Sequence, residues 1–233
     1  MKFRNCIKII KILQNIYIKN RYFIRKKSYS MNKEDVFVSN FFKFKNKGFY
    51  VDVGAYHPLE INNTCLLYKK GWNGINIDIN QLSIDYFNFL RLDDININIA
   101  ISNKKKNEFF YYQKEKSPLN TLNLKHANRI FGKNKYKKRK ILTNNLTTIL
   151  NNTKYKNKKI DFLNIDIEGL DLNALKGLDF KTYRPKLICI EIPDYVSPSI
   201  DLIKKQKIYK FLNKKKYKLV WSGFFSNIFK YKN

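Results

Sequence analysis

At 233 residues the chain suits one α/β domain with a substantial core. Apolar residues at 44% and aromatics at 15% exclude a disordered chain. The formal charge of +29 would attract nucleic acid, anionic lipid headgroups or acidic glycans, although lysines scattered beside abundant Asn, Ile, Tyr and Phe also fit a biased coding composition. Cys6, Cys65 and Cys189 have no paired spacing, which excludes a disulfide framework or zinc motif and points to a reducing, cytoplasmic compartment.

Residues 1–30 form a basic arm in which cations alternate with Ile, Leu and aromatic residues at helical spacing. Lys8 and Lys11 interrupt its apolar run, so the arm is neither a transmembrane helix nor a good secretory signal. It either lies on an anionic membrane surface, making the protein peripheral there, or packs on the domain as an N-terminal helix. The domain proper is expected over residues 31–233. Val36, Phe37, Phe41 and Phe42 predict a helix covering the edge or the ligand end of a sheet.

The stretch FYVDVGA, residues 49–55, reads as a buried parallel strand entering a tight turn. Ligands of open α/β sheets bind outside the carboxyl ends of the strands. Gly54 would let backbone pass close to a ligand, with Asp52 at the rim and Ala55 in the turn. His57, before Pro58, is either a general base or a loop histidine capping backbone groups. Asn62, Asn63 and Thr64 predict a helix start, and Gly71 its end. A second strand over 75–80 carries Asp78 at its end, placed to accept two hydroxyls of a ribose.

An amphipathic helix follows, with Leu82, Tyr86, Phe89 and Leu90 inward. DDININIAIS then predicts a third strand, and EFFYYQ a short strand or ribbon. An insertion over about 114–140 would carry substrate contacts or a lid. Its cations Lys133 to Lys140 either grip phosphate or acidic sugar, or form a solvated loop. A fourth strand over 159–169 puts Asp166 and Glu168 on one side, able to bind a cation or to raise one another's pKa for proton abstraction. Glu168 could instead only cap the following helix. A fifth strand, 184–192, ends in Glu191 before Pro193 and Asp194. If these strands neighbour the first, Asp166, Glu168 and Glu191 converge on the Gly54 turn. A long helix over 200–216 and a terminal hairpin turning at Ser222–Gly223 complete the pattern.

The blocks GFYVDVGAYHPLEINNT, YKKGWNGINIDIN, NINIAIS, IDFLNIDIEGLDLNALKGLDF and YRPKLICIEI, in this order, resemble the FkbM family of S-adenosylmethionine-dependent methyltransferases. The resemblance implies a class I Rossmann-like methyltransferase fold, α/β, with a mostly parallel seven-stranded sheet and a C-terminal antiparallel hairpin. It implies O-methyl transfer, frequently to a sugar hydroxyl of a glycan or to a secondary metabolite. By position, Asp52, Gly54 and Ala55 would hold the amino-acid end of S-adenosylmethionine, Asp78 its ribose, and Asp94 and Ala100 the surroundings of adenine. Asp166, Glu168 and Gly169 match the family's acidic block at the reaction side. The acceptor proton would leave to Asp166, Glu168 or His57, or with help from a divalent cation on Asp166 and Glu191. The charge keeps two alternatives open: an RNA methyltransferase, and a polyanion- or membrane-binding module with a vestigial cofactor fold.

Overall fold

The structure is a computed structural model that describes residues 2–114, 117–192 and 199–232, with only the backbone for residues 2–5. Pro193 and Asp194 lie outside the described residues. In chain order the strands are β1 (Phe49–Val53), β2 (Asn73–Asp78), β3 (Ile95–Asn98), β4 (Ala100–Ile101), β5 (Lys106–Tyr112), β6 (Lys137–Asn144), β7 (Phe162–Ile165), β8 (Leu187–Glu191), β9 (Tyr217–Ser222) and β10 (Ser226–Tyr231). The helices are α1 (Lys2–Leu13), α2 (Glu34–Phe41), α3 (Cys65–Lys69), α4 (Gln81–Leu90), α5 (Leu124–Phe131), α6 (Leu146–Asn151), α7 (Asp171–Lys176), α8 (Ile200–Lys205) and α9 (Lys207–Lys214).

Seven strands form one sheet in the order β3-β2-β1-β7-β8-β10-β9. The first five of these run parallel, and β10 is antiparallel to both β8 and β9. This is a Rossmann-like sheet closed by a C-terminal antiparallel pair. Strand order reverses between β1 and β7, which places a crevice at their carboxyl ends.

β1 is buried along its whole length because both of its faces are covered. Phe49, Val51 and Val53 pack with Leu146 and Leu150 of α6, Leu175 of α7 and Leu212 of α9. Tyr50 points the other way, into a cluster with Val38, Phe42, Leu67 and Trp72. Each fully buried Ile, Leu, Val or Phe of these layers contributes roughly 1.5–3 kcal/mol. The helix expected over 31–47 therefore lies, as α2, against a sheet face rather than over an edge or the ligand end. Val38 and the adjacent Phe42 touch side chains of β1, β7 and β8.

Two further expectations are corrected, and the insertion gains a described frame. The long helix over 200–216 is two helices, because Gln206 is extended (φ −69, ψ 145) between α8 and α9. The third strand breaks at Ile99: β3 stays in the main sheet, and β4 joins a three-stranded sheet of order β4-β6-β5. β5 and β6 are an antiparallel ribbon whose connection carries α5, so the insertion has a folded frame. At the other end, α1 continues in a wider π-helical turn over Gln14–Lys19. This arm is seated on the domain through Ile12 and Ile16, which pack with Tyr29, Leu59 and Cys65.

Candidate active site

A cleft opens at the carboxyl ends of β1, β2 and β7, lined among others by Val53, Gly54, Asp78, Ile79, Asp166 and Glu168. Gly54 forms its floor. Its φ of +78 belongs to glycine, and a Cβ there would lie 1.7 Å from the carbonyl oxygen of Asp166. The close approach that requires glycine is thus to the chain's own backbone, not to a ligand. Gly54 and Ala55 both donate their N–H groups to the Ile77 carbonyl (2.9 and 3.1 Å), which binds the turn to β2.

Asp78 ends β2 and lines the cleft. Its Oδ2 accepts the Tyr56 N–H at 2.8 Å and its Oδ1 the Asn80 N–H at 2.7 Å. Each oxygen keeps a lone pair for a further donor. Burial lifts its pKa from 3.8 to about 6, more than the two N–H groups lower it. Beside it Ile79, Ile99, Ala100, Ile101 and Phe110 make an apolar slot. Ala100 is among the residues that line this slot.

Asp94 does not line the slot. It precedes β3, so it lies at the amino end of that strand and away from the cleft. There it accepts the Gly74 N–H (2.6 Å), Asn76 Nδ2 (2.9 Å) and the Tyr50 hydroxyl. Asp52 is also displaced from its expected role. It is fully buried behind the turn and takes Asn164 Nδ2 and the Thr64 hydroxyl (both 2.8 Å) and Asn62 Nδ2 (3.3 Å). Its neighbour in this network is the fully buried Arg91, which donates to Thr64 Oγ1 and Asn62 Oδ1 (both 2.7 Å) and to the Pro58 carbonyl. Arg91 and Asp52 together fix the loop from 55 to 64.

His57 is not brought to the cleft. Its Nδ1 accepts the Leu59 N–H at 3.1 Å, and Nε2 meets Asn15 Oδ1 of the N-terminal arm at 2.8 Å. The first contact assigns the hydrogen to Nε2. Burial, with Lys19 and Arg91 nearby, lowers its pKa to about 3. It is a neutral clasp for the arm rather than a base.

The opposite wall is acidic. Asp166, Glu168 and Glu191 each present a carboxylate oxygen, and these oxygens lie within 4.8 Å of one another. β7 ends at Ile165, so the alternation expected of a strand does not align them. The turn does, through Glu168 at φ 51 and Gly169 at φ +87. Asp171, which the sequence reading passed over, is the buried support: it accepts the N–H groups of Ile167 (3.3 Å) and Gly169 (3.2 Å). Burial first, then the other acids, lift the pKa values of Asp171 and Glu191 to about 8, and the acids crowded round the solvent-exposed Asp166 push its value up as well.

α5 adds a group that sequence reasoning missed. His126 Nε2 lies 3.0 Å from Glu168 Oε2, within ion-pair distance though not aligned as a hydrogen bond. Its Nδ1 takes Arg129 Nη2 at 2.9 Å, so the hydrogen is assigned to Nε2. Thr121 Oγ1 donates to the Glu168 carbonyl (2.6 Å) and Asn123 Nδ2 to that of Gly169 (3.1 Å). A Cβ on Gly169 would meet Asn123 Nδ2 at 3.1 Å and His126 Nδ1 at 3.3 Å, so glycine admits the insertion. The one sequence signal for this is a histidine inside the polar insertion.

A glycine turn after the first strand, an acid ending the second and an acidic turn at the switch point make the cleft of a Rossmann-like α/β fold. The profile of the methyltransferase FkbM domain matches residues 52–219. The chain belongs to the FkbM methyltransferase family. A search of curated proteins finds no match to the chain.

Proposed function

We propose that the chain is an S-adenosylmethionine-dependent O-methyltransferase acting on a hydroxyl of a small molecule or glycan. What carries the reading is one cleft with two unlike walls: Asp78 beside an apolar slot on one side, and Asp166 with Glu168 on the other. The two walls stand at the ends of β2 and β7, two strand spacings or roughly 10 Å apart. A nucleoside fits the first wall: Asp78 offers acceptor lone pairs to ribose hydroxyls, and Ile79, Ala100 and Ile101 offer a flat apolar face to adenine.

S-adenosylmethionine, when bound, supplies an electrophilic methyl carbon. The chain's part is to align the acceptor oxygen and remove its proton; alignment alone is worth roughly 7–11 kcal/mol. Glu168 lines the cleft with His126 Nε2 3.0 Å from its carboxylate, so it is placed to take that proton. Asp166, Glu168 and Glu191 also fit a hard divalent cation, being an all-oxygen donor set in which neighbouring acids help to raise the pKa values of Asp166 and Glu191. Such an ion would make an acceptor hydroxyl more acidic.

A second acceptor class, RNA, is favoured by one observation. Lys137, Lys138, Arg139 and Lys140 are all exposed along β6, and Arg139 stands over Phe110 of the cleft wall. Salt-steep RNA binding would mark it.

Calorimetric titration with S-adenosylhomocysteine tests the reading. We expect micromolar affinity, weakened about 10- to 150-fold in Asp78→Ala, because a charge-assisted hydrogen bond contributes roughly 1.5–3 kcal/mol. Glu168→Gln should keep that affinity and lose about 10²- to 10⁴-fold in turnover. Equal affinity in Asp78→Ala and the parent would remove the ribose assignment; undiminished turnover in Glu168→Gln would remove the base.

A further inference from the structure

The N-terminal arm has an inner and an outer side. The inner side is seated through Ile12 and Ile16, and Lys8 pairs with Asp85 of α4 at 2.6 Å. The outer side carries large apolar side chains that face solvent. Ile7, Ile9, Ile10 and Leu13 are 40, 52, 61 and 37% exposed, and Phe23 in the turn beyond is 82% exposed. At about 100° per residue Ile9, Leu13, Ile10 and Ile7 make one continuous arc of α1.

Charge decides what covers this arc. Residues 1–30 hold nine cations and no acid, in a chain of net charge +29. A second copy would bring the same positive field against it, which opposes self-association. An anionic bilayer complements both features: Ile and Leu enter the boundary between headgroups and acyl chains while Lys and Arg stay among the headgroups. Among the described residues no helix is long and apolar enough to cross a membrane, so the contact lies along the surface. We propose that the outer face of α1 and the turn bearing Phe23 bind the surface of an anionic phospholipid bilayer. His57 then ties a membrane-bound helix, through Asn15, to the loop whose Tyr56 lines the cleft.

Flotation of the full chain with vesicles tests this, using phosphatidylcholine alone and mixed with phosphatidylglycerol, at low and high salt. The comparison variant is Ile9→Gln/Ile10→Gln, which keeps the charge and good helix propensity and alters only exposed side chains. The parent should float with the phosphatidylglycerol vesicles and stay partly bound in high salt, and the variant should partition about a hundredfold less. Unchanged circular dichroism would show that the variant is folded. Equal flotation of parent and variant would reduce the contact to adhesion by net charge and overturn the proposal. Failure of the parent to float would overturn it too, as would a parent dimer that the variant splits, since the arc would then cover a second copy. None of these outcomes depends on methyl transfer.

Discussion

At the scale of single residues, Asp78 is poised between two costs. Burial raises its pKa to about 6, because the cleft solvates the carboxylate poorly and two N–H groups compensate only in part. The folded-state value lies above the unfolded 3.8, so protonation favours the folded chain. Stability from this residue is gained as pH falls from about 6 towards 3.8 and is lost again as pH rises through 6. Ligand binding runs the other way, since only the ionised form offers both oxygens to hydroxyls. The affinity for S-adenosylhomocysteine should fall about tenfold between pH 7 and pH 5 in the parent. Asp78→Asn sets an amide NH2 against the Tyr56 or Asn80 N–H and should bind weakly at both values, without the parent's pH dependence. A pH-independent affinity in the parent would show that Asp78 does not carry the binding.

At the scale of elements, the arm depends on one neutral histidine. His57 is held near pKa 3, against 6.5 when free, so the unfolded chain binds its proton first. The stability His57 lends is present above pH 6.5 and is lost as pH falls below that value towards 3. Between pH 7 and pH 5 it amounts to about 2 kcal/mol. His57→Gln keeps an amide able to face Asn15 and removes the titration, so its melting temperature should fall less over that interval than the parent's. Superimposable profiles for the two proteins would reject the clasp. This joint was not legible in the sequence, because Asn15 lies 42 residues from His57. The same distance in sequence hid the duties of Asp52, whose partner Asn164 is 112 residues away, and of Asp94, whose partner Tyr50 is 44 away. What was legible was local. A continuous apolar run ending in Gly54 announced β1, and an acid closing INIDIN announced Asp78, because strand ends and glycine turns are written in adjacent residues. Asp166, Glu168 and Glu191 were legible from their strands, but the reason they face one another was not. That reason is a left-handed turn braced by Asp171 and by an insertion with little apolar periodicity.

At the scale of the whole molecule, the charge distribution is inverted at the cleft. A chain of net charge +29 gathers Asp166, Glu168, Asp171 and Glu191 along one wall. Among the described residues at that wall, Arg129 acts on Glu191, and the His126 ring stands against Glu168. Such crowding costs stability when all the groups are ionised, and near neutral pH it is relieved by retained protons or by a bound cation. Magnesium or manganese should therefore raise the melting temperature of the parent and release protons as it does so. Asp166→Asn/Glu191→Gln should melt higher than the metal-free parent, because two repelling charges are gone, and should show no further rise with metal. Chelator should return the metal-treated parent to its starting value. If metal shifts parent and variant alike, the ion is binding elsewhere, and the acidic wall acts through its retained protons alone, leaving Glu168 as the base without a metal partner.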